Sequence, residues 1–258
     1  MTLTSQKLTP LIAAGLMLAT PAFAQDAAPE PTQEERQAQS RVTEVQGPEP
    51  RLVQTPEGQP PSDATVLFDG STLEGWESVD GGEAEWTIED GSLHVGRGSG
   101  DIRTTENFCD VQLHVEWRSP PNDEGHDSQD RGNSGVFLQE RYEVQVLDSH
   151  ENPTYANGQA GSIYKQHLPL VNASREPGEW QSYDIIFQAP IFAEDGALRR
   201  PAHLTVLHNG VVVQNHAQLQ GATEWIGYPS YEAHDCAPIR LQDHDADVSF
   251  RNIWVRPM

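Results

Sequence analysis

From Asp63 onward, apolar and polar positions alternate with a period of two, and the runs are broken by clusters of Gly, Asn, Asp and Pro. No segment there keeps an apolar repeat at i, i+3, i+4 and i+7 for more than a turn or two, so the pattern predicts strands and no core helix. The early runs are Thr65 to Phe68, Trp86 to Glu89, Ser92 to Val95, Val111 to Arg118, Gly135 to Leu138 and Tyr142 to Leu147. The later ones are Ser162 to Lys165, Trp180 to Gln188, His203 to His208, Val211 to His216, Ile239 to Gln242 and Val248 to Arg256. Asp90-Gly91 and Asn209-Gly210 each separate two runs, and that dipeptide supplies the positive φ values of a type I′ turn, so both junctions are expected as tight hairpins. About eleven strands fit an all-β, two-sheet antiparallel jelly-roll sandwich better than a small closed barrel. A propeller would need repeats at a fixed period, and none occurs.

The same alternation sorts side chains to faces. Along Val111 to Arg118, one face carries Val111, Leu113, Val115 and Trp117 and the other Gln112, His114, Glu116 and Arg118. Glu143 and Gln145 likewise lie opposite Tyr142, Val144 and Val146, and Arg240, Gln242 and His244 opposite Ile239 and Leu241. An ordinary solvated face is the plainer reading of any one strand. The combination of His, Gln, Arg and Glu with Trp and Tyr nearby instead suits a sugar, whose hydroxyls take directional hydrogen bonds and whose apolar faces stack on rings. Trp76, Trp225 and Tyr228 sit in Gly-rich or Pro-rich loops, where they either stack on a sugar or cover a core edge. The three polar faces are expected to converge on one concave sheet.

The N-terminal segment reads differently. Lys7 precedes an apolar run from Leu11 to Thr20 that closes on Ala22-Phe23-Ala24, the pattern of a cleavable secretory signal peptide over residues 1–24. The run is too short to span a bilayer, so no membrane span is expected and the product is periplasmic or secreted; an uncleaved anchor is the alternative. Residues 25–62 hold repeated Pro, Gln, Glu and Arg with almost no large apolar residue and read as a disordered linker. Residues 63–258 then make one domain with room for a sizeable core.

A formal net charge of -23 leaves no basic stripe, which excludes nucleic acid as a partner. Most of the acid serves solubility, and a smaller share is free to hold a divalent cation through hard oxygen ligands. The two cysteines, Cys109 and Cys236, either pair in an oxidising compartment or stay apart; spacing does not decide. There is no His-Glu-x-x-His helix and no Gly-x-Ser-x-Gly elbow. The run Asp123, Glu124, His126, Asp127 and Asp130 lacks the Gly and Glu positions of an EF-hand and reads as a solvated acidic loop. Acid–base chemistry is left to Glu116, Glu143, His244 or His114.

Read in order, the segments LFDGSTLEGW, WTIEDGSLHV, VEWR, GNSGVFL, YEVQVLDS, GSIY, GEW, HNGVVVQN and LQDH followed by FRNIWVRP carry a resemblance over nearly all of Asp63 to Met258. The chain resembles the 3-keto-disaccharide hydrolase domain family. That resemblance implies a concanavalin A-like lectin and glucanase sandwich, often exported, acting on glycosides oxidised at C3, with a small-molecule sugar as partner. A ketone at C3 acidifies the C2 hydrogen, so a base removes it, an enolate forms and the C1 substituent leaves by β-elimination, after which water adds. The chemistry needs a base of near-neutral pKa and positive charge at the enolate oxygen. Carried onto matching positions, the catalytic set is His244, Glu143 and Glu116, with His244 or Glu143 as the base. The substrate-binding set is Arg118, Asn133, Gln145, Gln242 and His114, with Arg118 at the enolate. A divalent cation is the competing stabiliser, drawing on Glu116, Glu143 or His244. Asp245 stands where a turn glycine is common in the family. A carbohydrate-binding, lectin-like module without turnover is the alternative reading.

Overall fold

A computed structural model of the protein describes residues 30–121 and 125–258; the expected signal peptide, and Asp123 and Glu124 of the acidic run, lie outside them. Residues 52–258 form one compact unit. The stretch before it carries one short helix, Gln33–Ser40, closed at its start by a reciprocal capping box between Thr32 and Glu35. None of its residues is buried. Local capping thus orders a turn or two of a segment expected to be disordered throughout, without any core to hold it. Residues 54–62 also join the compact unit, where Ser62 and Gln54 exchange hydrogen bonds of 3.0 Å.

The strands run β1 (Thr65–Phe68), β2 (Trp76–Ser78), β3 (Thr87–Glu89), β4 (Ser92–His94), β5 (Ile102–Thr104) and β6 (Val111–Arg118). They continue as β7 (Ser134–Leu138), β8 (Tyr142–Val146), β9 (Gln181–Gln188), β10 (Ile191–Phe192) and β11 (Leu198–Arg200). The last are β12 (His203–His208), β13 (Val211–Gln218), β14 (Arg240–Leu241) and β15 (Ser249–Pro257). An eight-stranded sheet has the order β13-β12-β9-β6-β15-β4-β3, with β1 also against β15, and a five-stranded sheet has the order β2-β5-β14-β7-β8. All pairings are antiparallel, so the chain is a two-sheet sandwich.

Alternation explains the layers. On β6, Val111, Leu113, Val115 and Trp117 are each no more than 1% exposed, and on β9 Tyr183, Ile185 and Phe187 are wholly buried beside them. Phe250, Ile253 and Val255 complete the same layer from β15, where a bulge at Asn252, with φ 47°, shifts the register by one residue. Val136, Leu138, Tyr142, Val144 and Val146 face them from the five-stranded sheet, in one continuous core. Both expected hairpins are present: Glu89 pairs Ser92 and His208 pairs Val211, with positive φ at Asp90, Gly91, Asn209 and Gly210.

Ser162 to Lys165 is not a strand. Ile163 makes only isolated bridges to Val144 and His167, and positive φ at Gly161 and Lys165 bends the chain on either side. The short strands β2, β5, β10 and β11 were not expected, because two or three residues are too few to show a period.

Cys109 and Cys236 are disulfide-bonded across 127 residues of sequence. The bridge sits beside the Phe108–Ala237 β-bridge, so it joins the entry of β6 to the segment leading into β14. Closing so long a loop restricts the unfolded chain, and the Cys109→Ser, Cys236→Ser double variant is expected to lose about 2–4 kcal/mol of unfolding free energy. Urea denaturation with and without reductant checks this: reductant should lower the midpoint of the native protein and leave the variant unmoved.

Candidate active site

The outer face of the five-stranded sheet holds a row of side chains set by register. Arg240 on β14 lies between Arg103 of β5 and Phe137 of β7, and Phe137 lies opposite Glu143 of β8. Arg103 pairs with Glu77 at 2.9 Å and Glu140 at 3.1 Å. The Arg240 guanidinium stacks 3.7 Å from the Phe137 ring centroid and pairs with Asp101 at 2.6 Å. One step along, Gly135 faces Gln145.

A cavity of about 640 Å³ opens over the Phe137, Glu143 and Gln145 end of this face. Its walls come from three loops: Gln129, Asp130 and Asn133 before β7; Tyr155, Tyr164 and Lys165 after β8; and Thr223 and Trp225 ahead of β14. Arg240, Gln242 and His244 close the remaining side.

Glu143 is only 4% exposed. Burial pushes its carboxyl pKa up to about 8; Arg240 opposes the shift and the charge of Asp101 adds to it. The carboxyl lies over Gly135, where a Cβ would come within 2.7 Å of both Glu143 Oε1 and the Phe137 ring. Only a residue without a side chain leaves that space. The Glu143 amide donates to Thr223 Oγ1 at 3.1 Å, but among the described residues no hydrogen bond engages the carboxyl itself. Asp101, behind Arg240, is also held above the usual range by burial, although the Asp243 amide and Arg240 counter it.

The other polar groups are tied into place. Gln145 donates to Asn133 Oδ1 at 2.8 Å, and Asn133 donates to the Gln129 carbonyl at 2.7 Å. The Tyr155 and Tyr164 hydroxyls are 2.7 Å apart. Burial, the bond to Tyr155 and the charge of Glu143 all raise the Tyr164 pKa, so its phenol stays protonated. Lys165 donates to the Trp225 carbonyl at 2.7 Å and so joins two of the cavity's loops.

Five of the residues named from the sequence, Glu143, Gln145, Asn133, Gln242 and His244, line this one cavity. The other three do not. His114, Glu116 and Arg118 project from β6 on the outer face of the eight-stranded sheet, so the core and both sheets separate them from Glu143. Their partners are local. His114 contacts Asp184 at 2.7 Å, Glu116 accepts from Arg251 at 2.6 Å and Asn252 at 2.8 Å, and Arg118 and Arg251 both stack on Trp180. Burial works to raise the Glu116 pKa, but the bonds from Asn252 and Arg251 outweigh it and keep the carboxylate ionised.

Of the candidate cation ligands Glu116, Glu143 and His244, the first stands apart from the other two, and among the described residues no group of three His, Cys, Asp or Glu side chains is placed to hold a metal ion. Tyr155, Tyr164, Lys165, Thr223 and Arg240 line the cavity without having been named as site residues. Tyr164 closes the GSIY segment and Lys165 follows it, and both fall in the strand expected over Ser162 to Lys165.

Residues 63–256 match the sequence profile of the 3-keto-alpha-glucoside-1,2-lyase-like domain. The chain belongs to that family. A relative from Bacteroides thetaiotaomicron, named 3-keto-disaccharide hydrolase, is 27% identical over 234 residues, or 74% of this chain and 77% of its own. A crystal structure of a Parabacteroides distasonis protein assigned as a glycosyl hydrolase superposes with a TM-score of 0.80 at 53% identity, covering 84% of this chain and 96% of that one. A second P. distasonis structure with the same assignment, 24% identical and with a TM-score of 0.56, shares the fold over 76% of this chain. The jelly-roll sandwich is thus shared with these solved structures.

A buried carboxyl with a raised pKa links stability to pH. The unfolded chain releases this proton near the ordinary value of 4.5 and the folded one near 8, so stability falls as pH rises through that window. Glu143→Gln has no such proton to lose. Its unfolding free energy relative to the native protein should climb between about pH 4.5 and 8 and level off above, each kcal/mol appearing as about 2–4 °C in Tm. Parallel melting curves across that range check it; no divergence would show that folding leaves the carboxyl at its ordinary pKa.

Proposed function

We propose that the protein is a carbohydrate-processing enzyme that cleaves 3-keto-glycosides by removing the C2 proton and eliminating the C1 substituent. The observation that carries this reading is the Glu143 carboxyl, buried, free of hydrogen bonds among the described residues and titrating near pH 8 at the floor of a sugar-sized cavity. A carboxylate of raised pKa is a stronger base than an ordinary one, which suits abstraction of a carbon-bound hydrogen made acidic by an adjacent ketone. Family membership and the name of the B. thetaiotaomicron relative support the 3-keto substrate.

Around this base the other groups take definite roles. Arg240, fixed by Asp101 and by its stack on Phe137, supplies positive charge for the oxygen at C3 as the enolate forms. Asn133, Gln145 and Gln242 offer amide groups to sugar hydroxyls, and Trp225, 72% exposed at the rim, offers a ring face. His244 is exposed at the mouth, a poorer place for the base than the floor. A lectin-like module would have no use for a buried carboxyl in its binding site, since an unpaired buried acid only costs stability.

Incubating the purified protein with 3-keto-lactose or 3-keto-trehalose should release the second sugar, and Glu143→Gln should lower kcat/KM by about 10²–10⁴-fold. Because the base must be unprotonated, kcat/KM of the native protein should rise with pH through about 8 and then level off. Tight sugar binding with no release at any pH, with or without added divalent cations, would leave the binding module as the answer.

We also propose that the protein is exported. The basic residue, apolar run and Ala-x-Ala ending of residues 1–24 support this, as does a disulfide, which persists in oxidising compartments. The mature protein recovered from a periplasmic or culture fraction should begin at Gln25; an intact N-terminus in the cytosolic fraction would refute it.

A further inference from the structure

Elimination moves two protons, and Glu143 accounts for one. When the C1–O bond breaks, its electron pair goes to the departing oxygen, and the alkoxide of a sugar is a poor leaving group unless a donor protonates it as it departs. Glu143 is occupied with the C2 proton at that moment, so the donor has to be another group in the cavity.

Two phenols stand there. Tyr155 and Tyr164 both line the cavity, and their hydroxyls lie 2.7 Å apart. Two phenols own two O–H protons, and their mutual bond uses one. Among the described residues neither hydroxyl makes any other hydrogen bond, so the second proton is free for a ligand. Tyr164 also lies beside the base, since its amide donates to the Glu143 carbonyl at 3.3 Å. The Lys165 ammonium sits 5.6 Å from the Tyr164 ring centroid and 5.8 Å from that of Tyr155, anchored by the Trp225 carbonyl. Once a phenol there has given up its proton, a fixed positive charge nearby offsets the charge of the phenolate.

We propose that the Tyr155–Tyr164 pair is the proton donor to the oxygen leaving C1, with Tyr164 as the donor, Tyr155 positioning it and Lys165 offsetting the negative charge left behind. The proposal rests on the 3-keto-glycoside reading. In the step, the Glu143 carboxylate takes the C2 hydrogen and the C–H electron pair forms the enolate. Collapse of the enolate restores the C3 carbonyl, forms the C1–C2 double bond and breaks the C1–O bond. The departing oxygen takes the Tyr164 proton and leaves as a neutral alcohol. Protonated Glu143 then returns its proton to the phenolate through solvent, and no oxidant or reductant is consumed.

Leaving-group dependence separates this role from a structural one. The probes are 3-keto-lactose, whose leaving sugar needs a proton, and 4-nitrophenyl 3-keto-glucoside, whose nitrophenolate does not. Tyr164→Phe should lower kcat on 3-keto-lactose by about 10²–10⁴-fold and on the nitrophenyl substrate by less than about 3-fold. In D₂O the same variant should still exchange the C2 hydrogen of uncleaved 3-keto-lactose, whereas Glu143→Gln should lose exchange and both cleavages together. Tyr155→Phe should show the same selectivity to a smaller degree. Equal losses on both substrates, or no loss on either, would overturn the donor role while leaving the base reading intact. Native protein that neither exchanges the C2 hydrogen nor cleaves either substrate would overturn the 3-keto reading and the donor with it.

Discussion

A carboxyl group that is largely buried without a hydrogen-bonding partner is expensive, and the architecture around Glu143 holds one at the wall of the cavity. Its strand supplies the position, since β8 is the edge of the five-stranded sheet and its outward residues lack a neighbouring strand on one side. Gly135 on β7 supplies the space, because any side chain there would occupy the carboxyl's place. The loops after β8 and before β14 supply the cover, and Thr223 fastens one of them to the Glu143 backbone. Losing the cover of those loops would expose the carboxyl further and return it toward an ordinary acid.

The positive charge nearby is arranged with similar constraint. Arg240 would pull the Glu143 pKa down fully if it were free to form a direct ion pair. It is instead divided between Asp101, the Glu140 carbonyl and the Phe137 ring. Asp101 thereby does two things at once: it fixes the guanidinium and spends part of its charge. The cavity is left with a cation close enough to act on a developing enolate and an acid that still holds its proton to about pH 8.

Much of the sandwich was legible because period-two alternation is a direct record of burial. β6 and β12 fall where the pattern put them to the residue, and both Asx-Gly hairpins close as their turn chemistry requires. The site was legible only in part. Alternation tells which residues share a face of one strand, but not which sheet the strand joins or which way that face looks. Hence Glu143 and Gln145 were grouped with Glu116 and Arg118, although β8 and β6 turn their polar sides to opposite surfaces of the molecule. The His114, Glu116 and Arg118 cluster had the composition of a site and is a lattice of ion pairs and stacked guanidinium groups on the far wall. Tyr155, Tyr164 and Lys165 escaped for the opposite reason: they lie on an irregular segment whose shape depends on positive φ at Gly161 and Lys165 rather than on any repeat.

The Cys109–Cys236 bridge turns the intervening chain into a closed ring. That ring contains Glu143, both cavity tyrosines, Lys165, Thr223 and Trp225, while Arg240, Gln242 and His244 follow within eight residues of its closing cysteine. A protease that cuts once inside the ring, in the loop after β6 or in the β10–β11 hairpin, therefore produces two pieces that cannot diffuse apart. Backbone scission at such a point opens the ring without separating the walls of the cavity, so a nicked molecule keeps the parts of its working face on one covalent body.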